Sequence, residues 1–338
     1  MNKPASSTRT PRKPLHGVLL LDKPIGWTSN DALQKAKGML RAEKAGHTGT
    51  LDPLATGLLP LCFGAATKFS QVSLDADKRY TATLRLGQRT STGDREGDVI
   101  AEGPLPTDGA AVEAACRRFT GTILQTPPMY SALKHQGKAL YEYARAGIEI
   151  ERPARAVTIH AIDIVEWHAE RLVLDVSCTK GTYIRTLAED IGTALGCGAH
   201  LSALRRTGSG QLDLKQAVTL EALQAMTDAE RVARLLPADA LLAGWPAVHL
   251  PDDEAGRFLS GLRRRVGLSD APAVRVYRRP PEPPDDAQVS LADTSADTSA
   301  GMSFGASFGA FLGTAHITAG ELIAVRLLSP NEVQEFSS

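Results

Sequence analysis

Two kinds of hydrophobic spacing follow one another irregularly along this chain, and together they restrict its fold class. From Arg79 to Leu86, and again near 155–167 and 171–179, apolar residues occupy every second position, which is typical of β-strands with one buried face. Between 183 and 196 the apolar residues lie three or four positions apart, which predicts an amphipathic helix. Because strands and helices do not keep a strict β-α-β order, we expect an α+β fold.

The N-terminal half predicts further elements around one loop. Gly17 to Leu21 is typical of a buried strand, and Thr28 or Ser29 is a candidate N-cap for a helix that ends near Met39. Residues 46–60 are rich in glycine and proline, which favours a loop. Shorter helices are expected near 65–74, 108–119 and 138–146, and Thr182 is a candidate cap for the helix at 183–196.

Composition changes at both ends indicate separate segments. Residues 1–14 are polar, basic and rich in proline, which predicts a disordered tail. A small second unit begins after about residue 245, and within it residues 280–313 carry tandem ADTS and SFGA repeats, which predict a flexible insertion. A last strand is expected from Glu321. The expected division is therefore 15–245 for one domain and 246–332 for another.

Charge, cysteines and hydropathy limit the class of protein. The 338 residues have a net charge of zero, which argues against coating nucleic acid through bulk charge but leaves local basic patches open. Residues 257–279 contain seven arginines and a single acid, Asp270. These arginines are a candidate patch for binding nucleic acid, a solvated face, or a partner for the acidic run at 280–300. Four cysteines without paired spacing predict reduced thiols and no metal site. No apolar run approaches the roughly 18 residues of a membrane span, so we expect no membrane partner and a cytoplasmic protein.

The segment from Gly46 to Gly57 places one carboxylate on a glycine-flanked loop. Glycine allows a ligand to approach the backbone closely, and Pro53 stiffens the chain directly after Asp52. His47 lies five residues before the aspartate. Hydroxyl groups nearby belong to Thr48, Thr50 and Thr56. From these residues alone, Asp52 either organises a turn through its own backbone or acts as a catalytic carboxylate.

Several segments, in a fixed order over roughly residues 15–215, carry a resemblance to a known family. They are GVLLLDKP (17–24), GHTGTLDPLATGLLP (46–60), DKRY (77–80), PMYSALK (128–134), LYEYAR (140–145) and SCTKGTYIR (177–185). The chain resembles the TruB family of tRNA pseudouridine synthases, which act on uridine 55 of the T-loop. The resemblance implies a central mixed, largely antiparallel sheet flanked by helices and loops, followed by a small β-rich PUA-like RNA-binding domain.

The resemblance also implies roles for single residues in the reaction. Asp52 matches the catalytic aspartate, Arg185 the arginine that orients it, and Tyr80 the tyrosine that stacks on the target uracil. Without the resemblance, Arg185 would be an arginine at a helix end and Tyr80 a core tyrosine. No cofactor and no metal are expected, because the isomerisation leaves the oxidation state unchanged and its leaving group becomes the nucleophile.

Substrate contacts follow from the same resemblance. His47 matches the histidine that helps to extrude the target nucleotide, while Tyr183 and Leu204 match residues that line the uracil pocket. Basic residues expected to contact RNA phosphates are Lys23, Lys68, Arg145, Arg263 and Arg264. The expected partner is the T-arm of tRNA, and a site built within one chain favours a monomer.

Two other functions fit the same residues. Opening a T-loop would also allow a misfolded tRNA to refold, so the chain could act as a tRNA folding chaperone that does not need the chemistry. A related synthase could instead modify guide-RNA targets within a larger complex, although the long stretch at 107–150 fits a stand-alone tRNA enzyme better.

Overall fold

The computed structural model describes residues 11–279 and 309–337. Along the chain the strands are β1 (Gly17–Lys23), β2 (Ala45–His47), β3 (Ala55–Phe63), β4 (Lys78–Leu86), β5 (Gln88–Thr90), β6 (Val99–Glu102), β7 (Gly121–Gln125), β8 (Lys134–His135), β9 (Lys138–Ala139), β10 (Arg155–His168), β11 (Arg171–Cys178), β12 (Ala199–Ser209), β13 (Leu212–Asp213), β14 (Val218–Thr219), β15 (Ala247–Leu250), β16 (Arg264–Arg265), β17 (Ala271–Arg278), β18 (Phe311–Thr318) and β19 (Glu321–Leu327). The helices are α1 (Ser29–Met39), α2 (Ser70–Asp75), α3 (Gly109–Arg118), α4 (Leu140–Arg145), α5 (Ile184–Ala194), α6 (Leu220–Ala225), α7 (Asp228–Ala233), α8 (Asp252–Leu259) and α9 (Pro330–Ser337).

A large mixed sheet forms the main body of the described residues. Its strand order is β14-β1-β3-β12-β4-β11-β10-β7, with β2 beside β3 and β13 beside β12. The pairs β1–β14 and β3–β12 are parallel and the other pairs are antiparallel. The α+β class and the largely antiparallel sheet expected from the sequence are therefore confirmed. Because β12 lies between β3 and β4, residues far apart in sequence meet at the sheet centre.

Helices pack on this sheet through apolar side chains. Leu33 of α1 packs with Leu19 of β1 and Leu59 of β3. Another cluster joins Leu187 of α5 to Leu84 of β4. Burial of these side chains supplies most of the driving force for the fold. In the described ranges, no helix combines the length and the apolar character that crossing a membrane requires.

A smaller sheet, with the order β15-β17-β18-β19-β16, packs directly against the large one. Val18 and Leu58 of the large sheet share one core with Val276 of the small sheet. The rings of Phe69 and Phe311 meet edge to face at 5.2 Å. The two sheets are thus joined by a continuous apolar contact.

Most of the predicted elements are found where the sequence placed them. β1, β4, β10, β11 and β19 match predicted strands, and helices α1, α3 and α5 match predicted helices. Thr28 caps α1, since its hydroxyl accepts a hydrogen bond from Asp31 N at 3.1 Å. A 3₁₀ segment at Gly64–Phe69 and α2 together fill the region predicted as one short helix.

Two expectations about the boundaries of elements were wrong. Residues 46–60 are not one loop, because Ala55–Phe63 forms a central strand whose pairing with β1 and β12 overrides its glycine and proline content. Thr182 does not cap α5; the cap residue is Tyr183, and the Thr182 hydroxyl donates to the Thr179 carbonyl.

The described residues contradict the expected inner limits of the tail, at residue 14, and of the insertion, at residue 313. Lys13 bridges to Ala42, so residues 11–14 are not free of the body, and residues 1–10 lie outside the described residues. Phe311–Thr318 is strand β18 because its apolar residues are needed in the small sheet. Residues 280–308 lie outside the described residues.

Candidate active site

The loop between β2 and β3, residues 48–54, carries Asp52 and is held by hydrogen bonds to its backbone. The buried Ser29 hydroxyl accepts from Leu51 N at 2.8 Å and donates to the Leu51 carbonyl at 3.1 Å. Gly26 N donates to the Pro53 carbonyl at 2.8 Å. The start of α1 and the end of β1 therefore fix the residues on either side of Asp52.

The Asp52 carboxylate pairs with a guanidinium that is itself held in place. Arg185 Nη2 lies 3.1 Å from Asp52 Oδ2 and donates to the Tyr130 carbonyl at 2.6 Å. Its Nη1 lies 3.7 Å from Asp94 Oδ2. The Arg185 side chain is 7% exposed, whereas that of Asp52 is 44% exposed. A buried cation thus steadies a carboxylate that faces an open cleft.

Opposing effects act on the pKa of Asp52. Burial in the cleft raises this pKa, and the Asp94 carboxylate raises it further, while the Arg185 guanidinium and Lys23 lower it. The net direction is upward. The guanidinium opposes the rise, but desolvation is the larger effect, so the carboxylate is more basic than an ordinary aspartate.

Asp52, Tyr80, Tyr183, Arg185 and Leu204 line one cavity of about 180 Å³. Four elements bring them together: the loop at 48–54, the neighbouring strands β4 and β12, and the start of α5. Apolar and aromatic surface lies on one side and the ion pair on the other. This arrangement suits a flat, partly polar ring placed against a carboxylate.

Tyr183 is fixed in this cavity through its backbone. Gln125, at the end of β7 and almost completely buried, accepts from Tyr183 N at 2.7 Å and donates to the Tyr183 carbonyl at 3.1 Å. Burial raises the pKa of the Tyr183 hydroxyl, so it stays protonated at neutral pH. Because Tyr183 is the cap residue of α5, the same two bonds also fix the start of the helix that carries Arg185.

His47 lies outside the set of cavity-lining residues, at the end of β2 opposite Leu61. Its Nδ1 is buried and has no hydrogen-bond partner among the described residues. Burial and the Arg206 guanidinium lower the pKa of His47, so the imidazole is neutral at neutral pH. Of the threonines near Asp52, Thr50 lines the cavity, whereas the Thr48 hydroxyl is buried against Ser73.

Two lysines predicted to contact RNA have other roles in the fold. Lys23 is fully buried and donates to the carbonyls of Pro24 and Trp27, so it is not available to a phosphate. Burial lowers the pKa of Lys23 to about 8. Lys68 lies 2.6 Å from Glu332 and donates to the Leu327 carbonyl, which ties the large sheet to the C-terminal strands. From the sequence pattern alone, lysines that bond to groups of the protein cannot be distinguished from lysines that are free at the surface.

The remaining basic residues lie at the surface with varied partners. Arg145 is exposed, and its guanidinium lies 5.3 Å from the centre of the Tyr141 ring. Arg263 is exposed with Glu321 at 3.5 Å, while Arg264 is half-buried in an ion pair with Glu254. The arginine patch is therefore partly neutralised by acids of α8 and β19.

Three residues of the site were missed by sequence reasoning: Asp94, Gln125 and Arg206. For Arg206 a signal existed, because residues two apart in a strand share a face, and Arg206 follows Leu204 at that spacing. For Asp94 and Gln125 the chain gives no local signal, since each acts on α5 from about 60 to 90 residues away. Among the described residues, no group of three or more His, Cys, Asp or Glu side chains is suited to a metal ion.

Comparisons with known proteins identify the family of this chain. Residues 37–184 match the TruB family pseudouridylate synthase N-terminal domain, and residues 185–243 match the tRNA pseudouridylate synthase B C-terminal domain. A protein of Verminephrobacter eiseniae named tRNA pseudouridine synthase B is 54% identical over 98% of this chain and 94% of its own length. Its namesake in Burkholderia lata is 61% identical over 80% of this chain and 85% of its own length.

Solved structures show the same fold. A Cbf5-Nop10-Gar1 complex contains a chain that is 25% identical, with a TM-score of 0.66 over 94% of this chain and 87% of that one. A box H/ACA sRNP Nop10-Cbf5 complex gives a TM-score of 0.64 at 22% identity, over 96% of this chain and 89% of that one. The pseudouridine synthase fold expected from the resemblance is confirmed. With more than half of its residues identical to a relative over nearly its whole length, the chain belongs to the TruB family of pseudouridylate synthases.

Proposed function

We propose that this chain converts uridine 55 in the T-loop of tRNA to pseudouridine. The observation that carries the proposal is the Asp52–Arg185 pair at 3.1 Å on the wall of a cavity that Tyr80, Tyr183 and Leu204 complete. The names of the relatives, tRNA pseudouridine synthase B, support tRNA as the substrate. The T-arm as the contacted region and a monomer acting in the cytoplasm belong to the same proposal.

The reaction needs a reactive carboxylate and a place in which a free uracil can turn. The bond between C1′ and N1 breaks, the uracil rotates in the cavity, a C1′–C5 bond forms, and the proton lost from C5 is balanced by a proton gained at N1. Asp52 starts this sequence by attack on the sugar, attack on the base, or removal of the C2′ proton; all three require its ionised form. Arg185 keeps that charge oriented, and the Tyr80 ring faces the base.

Access to the target base requires base flipping. A stacked uracil inside a folded T-loop cannot reach Asp52, so the nucleotide must leave the stack and enter the cavity. A neutral His47 beside the loop is suited to fill the space that the base leaves. We assign residues 246–332 as a PUA-like domain that contacts RNA outside the cavity through surface arginines such as Arg263, and residues 15–245 as the catalytic domain.

The decisive experiment is a chemical map of pseudouridine in an unmodified tRNA transcript incubated with the purified protein. The wild type should produce pseudouridine at position 55. Asp52→Asn should produce none, even in an incubation roughly 10³-fold longer, and should still bind tRNA. Asp163→Asn, an exposed change on β10, should behave as the wild type. Turnover by Asp52→Asn would refute the catalytic assignment.

Two further measurements separate the alternatives. Activity of the purified chain on an isolated T-arm stem-loop would rule out the need for a guide RNA or a larger complex. Growth of cells that carry Asp52→Asn, compared with cells that lack the protein, isolates the folding chaperone role, because the carboxylate is not needed to open a T-loop.

A further inference from the structure

Arg206 is a buried cation beneath the candidate active site. It lies on β12 and its side chain is 1% exposed. Its Nε donates to the Leu58 carbonyl at 2.7 Å, and its Nη2 donates to the Gly49 carbonyl at 3.0 Å. The guanidinium thus connects β12 to β3 and to the beginning of the loop that carries Asp52.

The charge of Arg206 lacks the compensation that Arg185 has. Within residues 11–279 and 309–337, no carboxylate forms a salt bridge with Arg206, whereas Arg185 has two carboxylate partners. A buried guanidinium without a counter-ion is costly, and its hydrogen bonds to carbonyl oxygens offset only part of that cost. Burial accordingly lowers the pKa of Arg206. A fold that keeps such a costly buried charge indicates that the charge acts on neighbouring groups.

The neighbours of Arg206 are parts of the candidate site. Arg206 lies opposite Tyr80 in the pairing of β12 with β4, and the charge of its guanidinium lowers the pKa of the Tyr80 hydroxyl. Its charge also lowers the pKa of His47 and of Lys23. One cation therefore acts on the tyrosine at the base, on the histidine beside the loop and on the lysine behind Asp52.

A hydrogen bond between Arg206 and Tyr80 can run in one direction only, because a guanidinium has only donors. The Tyr80 oxygen must accept from Arg206, which occupies one lone pair and turns the hydroxyl proton away from the guanidinium. Burial raises the pKa of Tyr80, and the Arg206 charge opposes that rise. The phenol is thus held neutral and in one orientation.

We propose that Arg206 is a positioning residue that orients the Tyr80 hydroxyl and anchors Gly49, so that the tyrosine and the Asp52 loop keep a fixed geometry. The proposal rests on the proposed function, in which Tyr80 faces the uracil. It explains why a buried cation lies under the site with carbonyl and phenol partners. Arg206 does not touch the substrate; it acts through Tyr80 and through the loop.

The test is a double-mutant cycle between Arg206 and Tyr80, measured as single-turnover pseudouridine formation on a tRNA transcript. Arg206→Gln should lower the rate constant by about 30-fold with little change in tRNA affinity, because donors to Tyr80 and Gly49 are lost. In the Tyr80→Phe background the same change should cost less than about threefold, since the hydroxyl it orients is already absent. Arg206→Lys, which keeps one charged donor, should recover part of the rate.

A pH profile adds a readout that loss of packing would not change. Without the cation, the Tyr80 hydroxyl becomes harder to ionise, so any loss of rate at alkaline pH should move to higher pH in Arg206→Gln. The positioning role would be overturned by additive losses in the cycle or by an unchanged rate in Arg206→Gln. It would also be overturned if neither Arg206 variant showed a cooperative melt. A wild-type protein that makes no pseudouridine would instead refute the proposed function, so the two failures are distinguishable.

Discussion

Arg185 Nη2 lies 3.1 Å from Asp52 Oδ2, and the other end of the same guanidinium faces Asp94 Oδ2 at 3.7 Å. Asp52 is on a loop and Arg185 is in the first turn of α5, so the pair joins the loop to the helix in the lining of the cavity. Because the guanidinium is planar and donates in several directions, one residue orients the carboxylate while remaining bound to the body of the protein.

Replacing Arg185 with lysine should lower kcat by about 10²–10³-fold. Lysine keeps the charge, but a single ammonium group cannot reach Asp52, Asp94 and the Tyr130 carbonyl together. Single-turnover kinetics with saturating enzyme would measure the effect. Arg205→Lys is the matched control, since Arg205 is an exposed neighbour on β12 that pairs with Asp22 outside the cavity. Equal rates for the two variants would contradict the orienting role.

Activity should fall at acidic pH with a midpoint above the ordinary aspartate value of 3.8. Burial and Asp94 raise the pKa of Asp52, and the ionised form is required, so kcat/KM should rise with pH through that raised pKa. Asp94→Asn removes one cause of the rise and should move the acid limb to lower pH. Asp163→Asn serves as the exposed control. An acid limb that moves upward in Asp94→Asn would show that another group controls it.

Ser29→Ala should loosen the Asp52 loop. The change removes both side-chain bonds to Leu51 and leaves its buried N–H and carbonyl unsatisfied, which should cost roughly 1–3 kcal/mol in the free energy of unfolding. We also expect kcat to fall by about tenfold, because the carboxylate loses its fixed position. Urea unfolding and single-turnover kinetics measure the two effects. Ser260→Ala, at the surface end of α8, should change neither; a stable and fully active Ser29→Ala would show that the loop is held without this hydroxyl.

Gly57→Ala should prevent stable folding. Gly57 has a φ of +99°, and a β-carbon there would lie 2.3 Å from the Arg206 carbonyl oxygen, which belongs to the backbone of the adjacent strand. We expect a loss of more than about 4 kcal/mol in the free energy of unfolding, seen as a lack of a cooperative thermal melt. Gly38→Ala, in an exposed and open position of α1, should instead stabilise the protein by about 0.5–1 kcal/mol. A cooperative melt near the wild-type temperature for Gly57→Ala would contradict the close strand packing.

The interior of β3 shows the limit of local sequence signals. Gly57 and Pro60 are typical of a loop, yet the segment is a buried strand because β1 and β12 pair with it on both sides. The residues that complete the site are equally dependent on distant contacts. Gln125 acts on Tyr183, and Arg206 acts on Gly49, across separations of 58 and 157 residues.

By itself, the sequence determined the α+β class and the main strands and helices. Its short motifs, which contain Asp52, Tyr80 and Arg185, indicated the family. Those features depend on spacing within a few residues, which the period of a strand or helix makes visible. Only the tertiary structure decided which charged residues are internal. In the sequence, Lys23, Lys68 and Arg206 look like any surface cation. The order of the strands in the sheet buries Lys23 and Arg206. Lys68 is tied to the C-terminal strands because it donates to the Leu327 carbonyl.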